Sequence, residues 1–407
     1  MSTGDPKIRK VIIFFFGIIA AGGEEKLLFE QAKYFEKKDI ETYILTYRFS
    51  GNAYGDVYKM NIDIINKKPT LQNLLLKTIY EILALRKRIK EINPDIIISH
   101  DYRDCIYLYF ATLFIPVPYV VHIPETIFRS DKCLEKYALI HRKVFDEIRN
   151  STIGGREFIS LKPPKSSLIR RMIAEFIAIA IYIGVKKAKR VFVLSNQMKW
   201  EIDKLYGKGK DTIVLKGAFP SEIFEYKPKE NIKKKLGLTD KRLILNVNRL
   251  VSRKRVDLLI KAFKHIYDKF DDVVLVIGGT GPEEKNLKNL TKEWNIESRV
   301  KFMGYIPEEE RKDYYACCDV FAHPNWADFA IAPFEALAMQ KKVVWSSEMD
   351  IDENLVANKH VFVANPTTND FADAVEKALN TEIPEDDDLS DYTWEKYFEE
   401  VMRNLKS

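Results

Sequence analysis

The residues best suited to chemistry lie in the second half of the chain, where Arg249 and Lys254 stand five residues apart in RLVSRKRVD. The pair follows an apolar run and precedes a segment with helical periodicity, which predicts both cations at the carboxyl end of a buried strand. Arginine can hold two oxygens at once, and lysine adds a second permanent charge. Such a pair suits a diphosphate leaving group, although a solvated basic loop has the same composition.

A glycine-rich stretch, VIGGTGPEE at residues 276–284, follows another apolar run and includes Gly279. Glycines between a strand and a helix let backbone N–H groups and the helix N-terminus approach a phosphate. A plain strand-to-helix turn uses glycine for the same conformational reason. Both interpretations stay open on this stretch alone.

Three polar residues stand in apolar surroundings. Glu335 is the one carboxylate of FAIAPFEALA, His122 lies in YVVHIPE, and His100 lies in ISHDYRD. A lone histidine on a buried strand is more often a core residue than a reacting group. His122 is nevertheless the first histidine candidate for a role near a reaction centre, and His100 the second.

The elements that position these residues follow from apolar runs that alternate with helix-period segments. In the first half, the runs predict buried strands at 11–16, 41–47, 95–99, 119–123 and 190–195. Because they lack polar alternation and are separated by helices, they indicate a doubly wound parallel sheet. The first run also has the composition of a signal peptide, but its continuation into an amphipathic helix favours a strand.

The pattern restarts after a linker-like segment at 224–235, and five more apolar runs predict a second sheet. The fold class is therefore α/β, with two Rossmann-like domains. The first is expected at 1–218 together with a C-terminal helix at 390–407, and the second at 219–389. Ligands bind at the strand ends of such sheets, so the expected site is a cleft between the domains.

Composition narrows the class of protein. A chain of 407 residues predicts two domains, and four cysteines without a CxxC pair predict no structural metal. Up to Pro220 there are 37 basic and 24 acidic residues, a net charge of +13, whereas the remainder has 28 and 35, a net charge of −7. The basic part indicates an anionic partner. No nucleic-acid-binding module is recognisable, so no nucleic-acid partner is expected.

Four segments in order, NVNRLVSRKRVDLLIKAF, VIGGTGPEEKNL, VKFMGYIPEEERKDYYACCDVFAHP and FAIAPFEALAMQKKVVWS, resemble glycosyltransferase family 4. The resemblance implies the GT-B fold, in which the last helix, here DYTWEKY onward, crosses back onto the N-terminal domain. It also implies a nucleotide diphosphate sugar as donor, retention of anomeric configuration, and no metal or other cofactor. Retention of this kind is described as front-face attack, in which donor phosphate oxygens help to deprotonate the acceptor.

The resemblance also assigns roles by position. Arg249 and Lys254 match the catalytic clamp on the donor diphosphate, and Glu335 matches the carboxylate that accepts hydrogen bonds from the donor ribose. His122 falls where the family often has a histidine near the transferred sugar. The remaining positions expected to bind the donor are Gly22, Gly23, Gly279, Tyr305, Ile306, Asp328, Phe329, Ala330 and Ile331.

The chain departs from the family pattern at several positions. The first glutamate of the Glu-x7-Glu pair aligns with Ala327, and Asp328 is the nearest carboxylate. Asn248, Arg255 and Ala330 stand where glycines are usual, and Lys216-Gly217 replaces an Asn-Gly loop. The loss of the first glutamate leaves the donor sugar and the activity itself open.

The segment from Lys165 to Arg190 holds an apolar stretch between basic flanks and is too short in its apolar part to span a bilayer. It predicts either docking on an anionic membrane surface or a buried domain helix with solvated ends. Together with His122 and Pro124, this segment is similar to cytosolic mannosyltransferases that extend lipid-linked oligosaccharides for protein glycosylation. We therefore expect a peripheral enzyme at the cytoplasmic face of a membrane.

The sequence thus predicts a hexosyltransferase that uses a UDP- or GDP-sugar, with mannose or glucose as the hexose, and a lipid-linked or other glycan acceptor. A transferase acting on a small sugar or polysaccharide away from membranes shares every donor motif. A catalytically silent nucleotide-binding partner of an active transferase is the third alternative, because of Ala327.

Overall fold

A computed structural model describes most of the chain, at residues 8–18, 23–50, 62–65, 74–124, 138–151, 168–326, 330–349, 351–383 and 387–406. The chain divides into two compact units. Unit 1 comprises Met1–Lys216 and Trp394–Ser407, and unit 2 comprises Gly217–Thr393. The unit boundaries lie within four residues of the predicted domain boundaries.

Unit 1 is built on a seven-stranded parallel sheet in the order β5-β3-β1-β6-β7-β8-β9. A short parallel pair, β2 and β4, lies outside this sheet. The strands are β1 (Lys10–Phe14), β2 (Gly17–Ile18), β3 (Glu41–Thr46), β4 (Arg48–Phe49), β5 (Ile62–Ile64), β6 (Ile96–Ser99), β7 (Tyr119–Ile123), β8 (Val191–Val193) and β9 (Thr212–Val214).

Helices lie between the strands of unit 1, as the apolar runs require. The helices are α1 (Gly23–Lys37), α2 (Leu74–Ile92), α3 (Cys105–Thr112), α4 (Leu139–Ser151), α5 (Leu168–Lys187) and α6 (Asn196–Tyr206). Local chemistry sets their ends: α6 begins where the Ser195 hydroxyl accepts from the Met198 N–H, and it ends at Gly207, whose φ is 62°.

The last helix of the chain, which we number α14 (Trp394–Lys406), belongs to unit 1. It packs on α1, where the rings of Tyr34 and Phe398 have centroids 5.4 Å apart. The predicted return of the C-terminal helix to the N-terminal domain is confirmed.

Unit 2 is built on a six-stranded parallel sheet in the order β12-β11-β10-β13-β14-β15. Its strands are β10 (Arg242–Val247), β11 (Val273–Gly278), β12 (Val300–Gly304), β13 (Val320–His323), β14 (Lys342–Ser346) and β15 (Val361–Ala364). Its helices are α7 (Ile232–Lys235), α8 (Val256–Lys269), α9 (Glu284–Glu293), α10 (Glu308–Cys317), α11 (Ile331–Ala338), α12 (Glu353–Val356) and α13 (Thr368–Asn380).

Both faces of the unit 2 sheet are buried. Ile244 and Ile277 belong to the core on one face, whereas Leu245 and Val276 belong to the core on the other. Successive side chains point to opposite faces, so a sheet covered on both sides needs apolar residues at every position. This explains the absence of polar alternation, and the α/β fold class predicted from it is confirmed.

All ten predicted strands are present, with ends that differ by at most three residues. The strands that the apolar runs did not predict in the two main sheets are β5, β9 and β15, each of which lies at an edge of its sheet. They are three or four residues long, so they give little hydrophobic signal.

Candidate functional site

The strand order of unit 2 reverses between β10 and β13. These neighbours pair in parallel through Ile244 with Val320 and Leu245 with Phe321. β11 and β12, which follow β10 in the chain, lie on one side of it in the sheet. β14 and β15, which follow β13, lie on the other side, so the loops after β10 and β13 lead in opposite directions. A crevice at the carboxyl ends of the strands at such a switch point is where open α/β sheets bind ligands. Arg249 and Lys254 lie in the segment after β10, and Glu335 lies on the helix that follows the loop after β13.

The glycine-rich loop after β11 packs directly on the loop after β10. The Asn248 N–H donates to the Gly278 carbonyl at 3.0 Å, and the Leu250 N–H donates to the Thr280 carbonyl at 2.9 Å. Gly279 has φ 123°, and a Cβ there would lie 1.7 Å from the Asn248 carbonyl oxygen. A Cβ on Gly281 would lie 2.2 Å from the Leu250 carbonyl oxygen.

These glycines therefore have a structural reason independent of any ligand, because only a residue without Cβ lets the two loop backbones meet. The plain-turn interpretation accounts for their positions. Contact between Gly279 and a donor phosphate stays a prediction.

Arg249 and Lys254 are presented in different ways. Arg249 is exposed, and its guanidinium forms no ion pair within the described part of the chain. Lys254 ends the short 3-10 turn Ser252–Lys254 and is buried, with 7% of its surface exposed. Of the two cations predicted to form the clamp, one therefore lies at the surface and the other is held by the fold.

A buried polar group behind Lys254 comes from the loop after β13. In the orientation that satisfies its neighbours, the Asn325 amide oxygen accepts from Lys254 Nζ at 2.7 Å and from His323 Nε2 at 2.9 Å. The Asn325 amide nitrogen donates to the Lys254 carbonyl at 3.3 Å. The backbone N–H of Trp326 donates to the Arg253 carbonyl at 3.0 Å, a second hydrogen bond between the same two loops.

Sequence reasoning did not identify Asn325 or His323 as site residues. Burial and the charge of Lys254 hold the pKa of His323 well below its usual value, so the ring is neutral and donates through Nε2. The signal available in the sequence was His323-Pro324-Asn325 at the end of a buried strand, where Asn325 stands two residues past β13 as Arg249 stands two residues past β10.

Arg255 occupies a backbone conformation that favours glycine, with φ 47°. This conformation costs a non-glycine residue on the order of 1 kcal/mol. The Arg255 guanidinium pairs with Glu348 at 2.6 Å, and both side chains are buried. This pair explains how arginine replaces the usual glycine. At Ala330, by contrast, φ is −135°, which any residue adopts.

Glu335 lies on α11, next to the loop after β13, and only 4% of its surface is exposed. Burial together with the neighbouring Glu335 charge raises the pKa of Tyr315 well above its usual value. Ala330 precedes the helix and Ile331 is its first residue. Ala327, Asp328 and Phe329 lie outside the described residues.

Tyr305 and Ile306 follow β12. Tyr305 is 66% exposed, whereas Ile306 is buried with its Cδ1 only 2.4 Å from where a Gly278 Cβ would stand. The Gly279 N–H donates to the Gly304 carbonyl at 2.6 Å. This edge of unit 2 therefore presents an exposed aromatic ring beside the glycine-rich loop, on a buried apolar base.

In unit 1, His122 is buried on β7. Its ring stacks on that of His100 with centroids 4.8 Å apart, and its Nδ1 lies 3.3 Å from the Tyr397 hydroxyl on α14. His100 Nε2 lies 2.8 Å from the Gln31 side-chain oxygen. Burial lowers the pKa of His100 to about 3, and burial together with His100 holds the pKa of His122 well below its usual value.

This setting resembles that of a core histidine, although His122 Nε2 has no hydrogen-bond partner among the described residues. With 1% of its surface exposed, His122 cannot touch a sugar in this conformation. Its role near the reaction centre stays a prediction. Gly23 is the first residue of α1, and Gly22 lies outside the described residues.

Across the described ranges, no group of three His, Cys, Asp or Glu side chains is arranged to hold a metal ion. The expected independence from metals stays a prediction.

Two family models match the chain. Residues 21–216 match "Glycosyltransferase Family 4" and residues 228–396 match "Glycosyl transferases group 1". Among curated proteins, the alpha-1,3/1,6-mannosyltransferase ALG2 of Dictyostelium discoideum is 30% identical over 40% of this chain and 43% of its own length. An uncharacterized glycosyltransferase of Methanocaldococcus jannaschii is 27% identical over 46% of this chain and 50% of its own length. The matched part of the chain thus spans half or less of the length of these relatives.

Solved structures cover nearly the whole chain. Anabaena HepE in complex with UDP superposes with a TM-score of 0.65 at 16% identity, covering 98% of this chain and 94% of that one. A glycosyltransferase from Rickettsia africae superposes with a TM-score of 0.68 at 15% identity, covering 98% and 93%. At these identities the similarity shows the fold alone, which is the GT-B fold expected from the sequence.

Proposed function

We propose that the chain, whose two halves match the models of glycosyltransferase family 4 and of group 1 glycosyl transferases, is a hexosyltransferase that transfers a hexose with retention from a nucleotide diphosphate sugar to a lipid-linked glycan. The single observation that carries the donor half is the pair of cations at the switch point of unit 2, Arg249 and Lys254. The neutral amide oxygen of Asn325 accepts from Lys254 Nζ at 2.7 Å and holds this cation at the switch point.

In the proposed reaction, the bond between the anomeric carbon and the diphosphate oxygen breaks. A new bond forms from the anomeric carbon to the acceptor hydroxyl oxygen, and the hydroxyl proton passes to a donor phosphate oxygen. Negative charge grows on the departing diphosphate, so fixed positive charge lowers the barrier. Lys254 is held in place before the donor arrives, whereas Arg249 is free to fold over the diphosphate.

The donor is a UDP- or a GDP-sugar in this proposal. Support comes from both kinds of relative: HepE is described in complex with UDP-glucose, and a Mycolicibacterium smegmatis mannosyltransferase similar to this chain is described as GDP-mannose-dependent. Neither observation chooses the base for this chain. Glu335, buried beside the site, is the proposed acceptor of ribose hydrogen bonds for either nucleotide.

The acceptor is lipid-linked in this proposal. The Mycolicibacterium relative is named for phosphatidylinositol monomannoside, and a relative of Arabidopsis thaliana is named for phosphatidylinositol. The excess of positive charge up to Pro220 suits an acceptor with a phosphate group near an anionic membrane. We propose that the enzyme works as a peripheral protein on the cytoplasmic face of that membrane.

The donor half is tested by thermal shift against UDP, GDP and their glucose and mannose conjugates, since a ligand that binds the native state raises its melting temperature. One nucleotide should stabilise the parent chain, and Arg249→Ala should lose most of that stabilisation. Equal shifts in parent and variant would contradict the diphosphate clamp. Transfer is then assayed with the selected donor on a lipid-linked and on a water-soluble glycan. Preference for the water-soluble glycan would overturn the proposed acceptor.

A further inference from the structure

Three neighbouring helices on one face of the unit 1 sheet point large apolar side chains outward. The short helix α3 packs against α2 on one side and α5 on the other. None of the helices in the described part of the chain combines the length and apolarity needed to cross a bilayer. We call the outer surface of α2, α3 and α5 the three-helix face.

On α2, Tyr80, Leu83, Lys87 and Lys90 recur at helical spacing along the exposed side. Tyr80 is 48% and Leu83 58% exposed. The opposite side of the helix, with Leu85 and Ile89, is fully buried. The outward line of α2 is therefore apolar in its first part and carries Lys87 and Lys90 in its last turns, where Lys87 lies 3.8 Å from Glu91.

Helix α5 repeats this arrangement. Met172, Phe176 and Ile179 are 65%, 62% and 44% exposed, and the helix ends at Lys186 and Lys187. Its inner side is closely packed, because a Cβ on Gly184 would lie 2.5 Å from the Cys105 carbonyl oxygen of α3. The apolar residues thus face outward on a helix that is firmly seated.

Phe114, just after α3, is the most exposed large apolar residue of the described chain, with 93% of its surface accessible. Its φ is 64°, a conformation that is costly for a bulky residue. Arg86 of α2 holds this turn by donating from Nη1 to the Ala111 carbonyl at 3.0 Å and to the Leu113 carbonyl at 2.6 Å. The fold therefore maintains an exposed ring at a position where glycine or asparagine would be less strained.

We propose that the three-helix face docks on an anionic lipid bilayer, with Phe114, Met172 and Phe176 entering the interface. Helices that connect parallel strands on one face run in the same direction, so Lys87, Lys90, Lys186 and Lys187 gather at one end of this surface. Apolar side chains beside grouped lysines suit the boundary between acyl chains and anionic headgroups. This inference rests on the proposed function, because it places the enzyme where a lipid-linked acceptor lies.

The test is flotation with vesicles of phosphatidylcholine alone and of phosphatidylcholine with phosphatidylglycerol at 7:3. The parent chain should float with the anionic vesicles at low salt. The triple variant Phe114→Ser, Met172→Ser, Phe176→Ser should lose at least about tenfold in partitioning. Lys90→Glu with Lys187→Glu should reduce partitioning only into the anionic vesicles, and salt should reduce the binding of the parent in the same way.

The matched control is Val356→Ser with Val363→Ser, which removes two exposed apolar residues of unit 2 that are 48% and 41% accessible. It should float like the parent. Equal losses in this control and in the triple variant would overturn the proposal, as would failure of the parent to bind either vesicle. If the parent does not float but is a dimer, and the triple variant is a monomer, the proposal is overturned and the face is instead a site of self-association.

Nucleotide-sugar binding and transfer to a detergent-solubilised acceptor, measured on the same variants, separate this inference from the proposed function. The triple variant should keep both and lose flotation, which also shows that it is folded. Flotation of a parent that binds no nucleotide sugar would support the docking face while refuting the proposed function.

Discussion

At the scale of single residues, the two cations of the site differ in how much the fold has already positioned them. Arg249 is exposed, whereas Lys254 is buried against Asn325, which itself accepts from His323. A side chain fixed before binding loses less conformational entropy when the ligand arrives. We therefore expect the contribution of Lys254 to donor binding to depend on the residues that hold it, and that of Arg249 to depend on its own guanidinium group.

Arg249→Ala should lower kcat/KM by about a hundredfold, because one charge contact to the departing diphosphate is lost. Arg249→Lys should fall between this variant and the parent, since lysine restores the charge but cannot hold two oxygens in a fixed fork. Steady-state kinetics with the selected donor measure this. Parent-like turnover of Arg249→Ala would remove the arginine from the mechanism.

Asn325→Asp should weaken binding of the donor by about tenfold or more, because it places a carboxylate beside Lys254 Nζ and neutralises the cation. Asn325→Ser is the matched variant, since its hydroxyl can still accept from Lys254 without adding charge, and it should bind the donor nearly as well as the parent. Nucleotide affinity by calorimetry, with the melting temperature as the check on folding, distinguishes the two. Similar losses in both variants would point to a packing role for Asn325.

Glu335→Gln should weaken the nucleotide and, more specifically, reduce the preference for ribose over 2′-deoxyribose. The carboxylate is expected to accept hydrogen bonds from ribose hydroxyls, and an ionised acceptor gives the stronger bonds. The ratio of the affinities for UDP and 2′-deoxy-UDP, or for the guanosine pair, measures this. An unchanged ratio would contradict the ribose assignment.

At the scale of elements, the loops at the strand ends of unit 2 support one another. The loop after β11 provides backbone partners for the loop after β10, and the loop after β13 provides Asn325 behind Lys254. The sequence predicted the strands and the glycine-rich turn from local patterns. It did not predict which loop backbones meet, because those contacts join segments far apart along the chain.

Gly281→Ala should destabilise unit 2 by roughly 2 kcal/mol or more, since its Cβ would overlap the Leu250 carbonyl oxygen and force the two loops apart. Gly237→Ala is the matched control: its φ is 67° but a Cβ there meets no atom within 4 Å. That variant should cost only about 1 kcal/mol of backbone strain. Denaturant unfolding of both variants measures the two losses in free energy of unfolding. Equal losses would mean that the contact between Gly281 and Leu250 can accommodate a Cβ.

At the scale of the whole molecule, stability should depend on pH through the buried pair of His100 and His122 in unit 1. The pKa of each ring is lower in the folded chain than the usual value of about 6.5, so the unfolded chain binds more protons at moderately acid pH. The contribution of His100 is fully present above about pH 6.5 and is lost as pH falls toward 3, and the contribution of His122 is lost in the same direction. Each ring contributes a slope of up to about 1.4 kcal/mol per pH unit.

Buried Asp104 acts in the opposite direction, because burial and Asp101 raise its pKa well above the usual value. His100→Gln separates these contributions, since it removes one histidine and leaves the carboxyl. The variant should lose less stability than the parent between pH 6.5 and 4, as measured by melting temperature. Identical pH profiles would mean that His100 is not buried in its neutral form in solution.

The return of the last helix was expected from the family resemblance, whereas the sequence by itself determined the α/β class, ten of the thirteen described strands of the two main sheets and the segments that resemble donor motifs. These features depend on local hydrophobic periodicity and on short segments whose residues are close in the chain. Only the tertiary structure decided that Arg255 pairs with Glu348, that Asn325 and His323 support Lys254, and that His122 is enclosed beneath α14. It also decided that α2, α3 and α5 turn apolar side chains outward. Burial and charge pairing depend on neighbours in space, and a linear pattern does not record which distant residues become those neighbours.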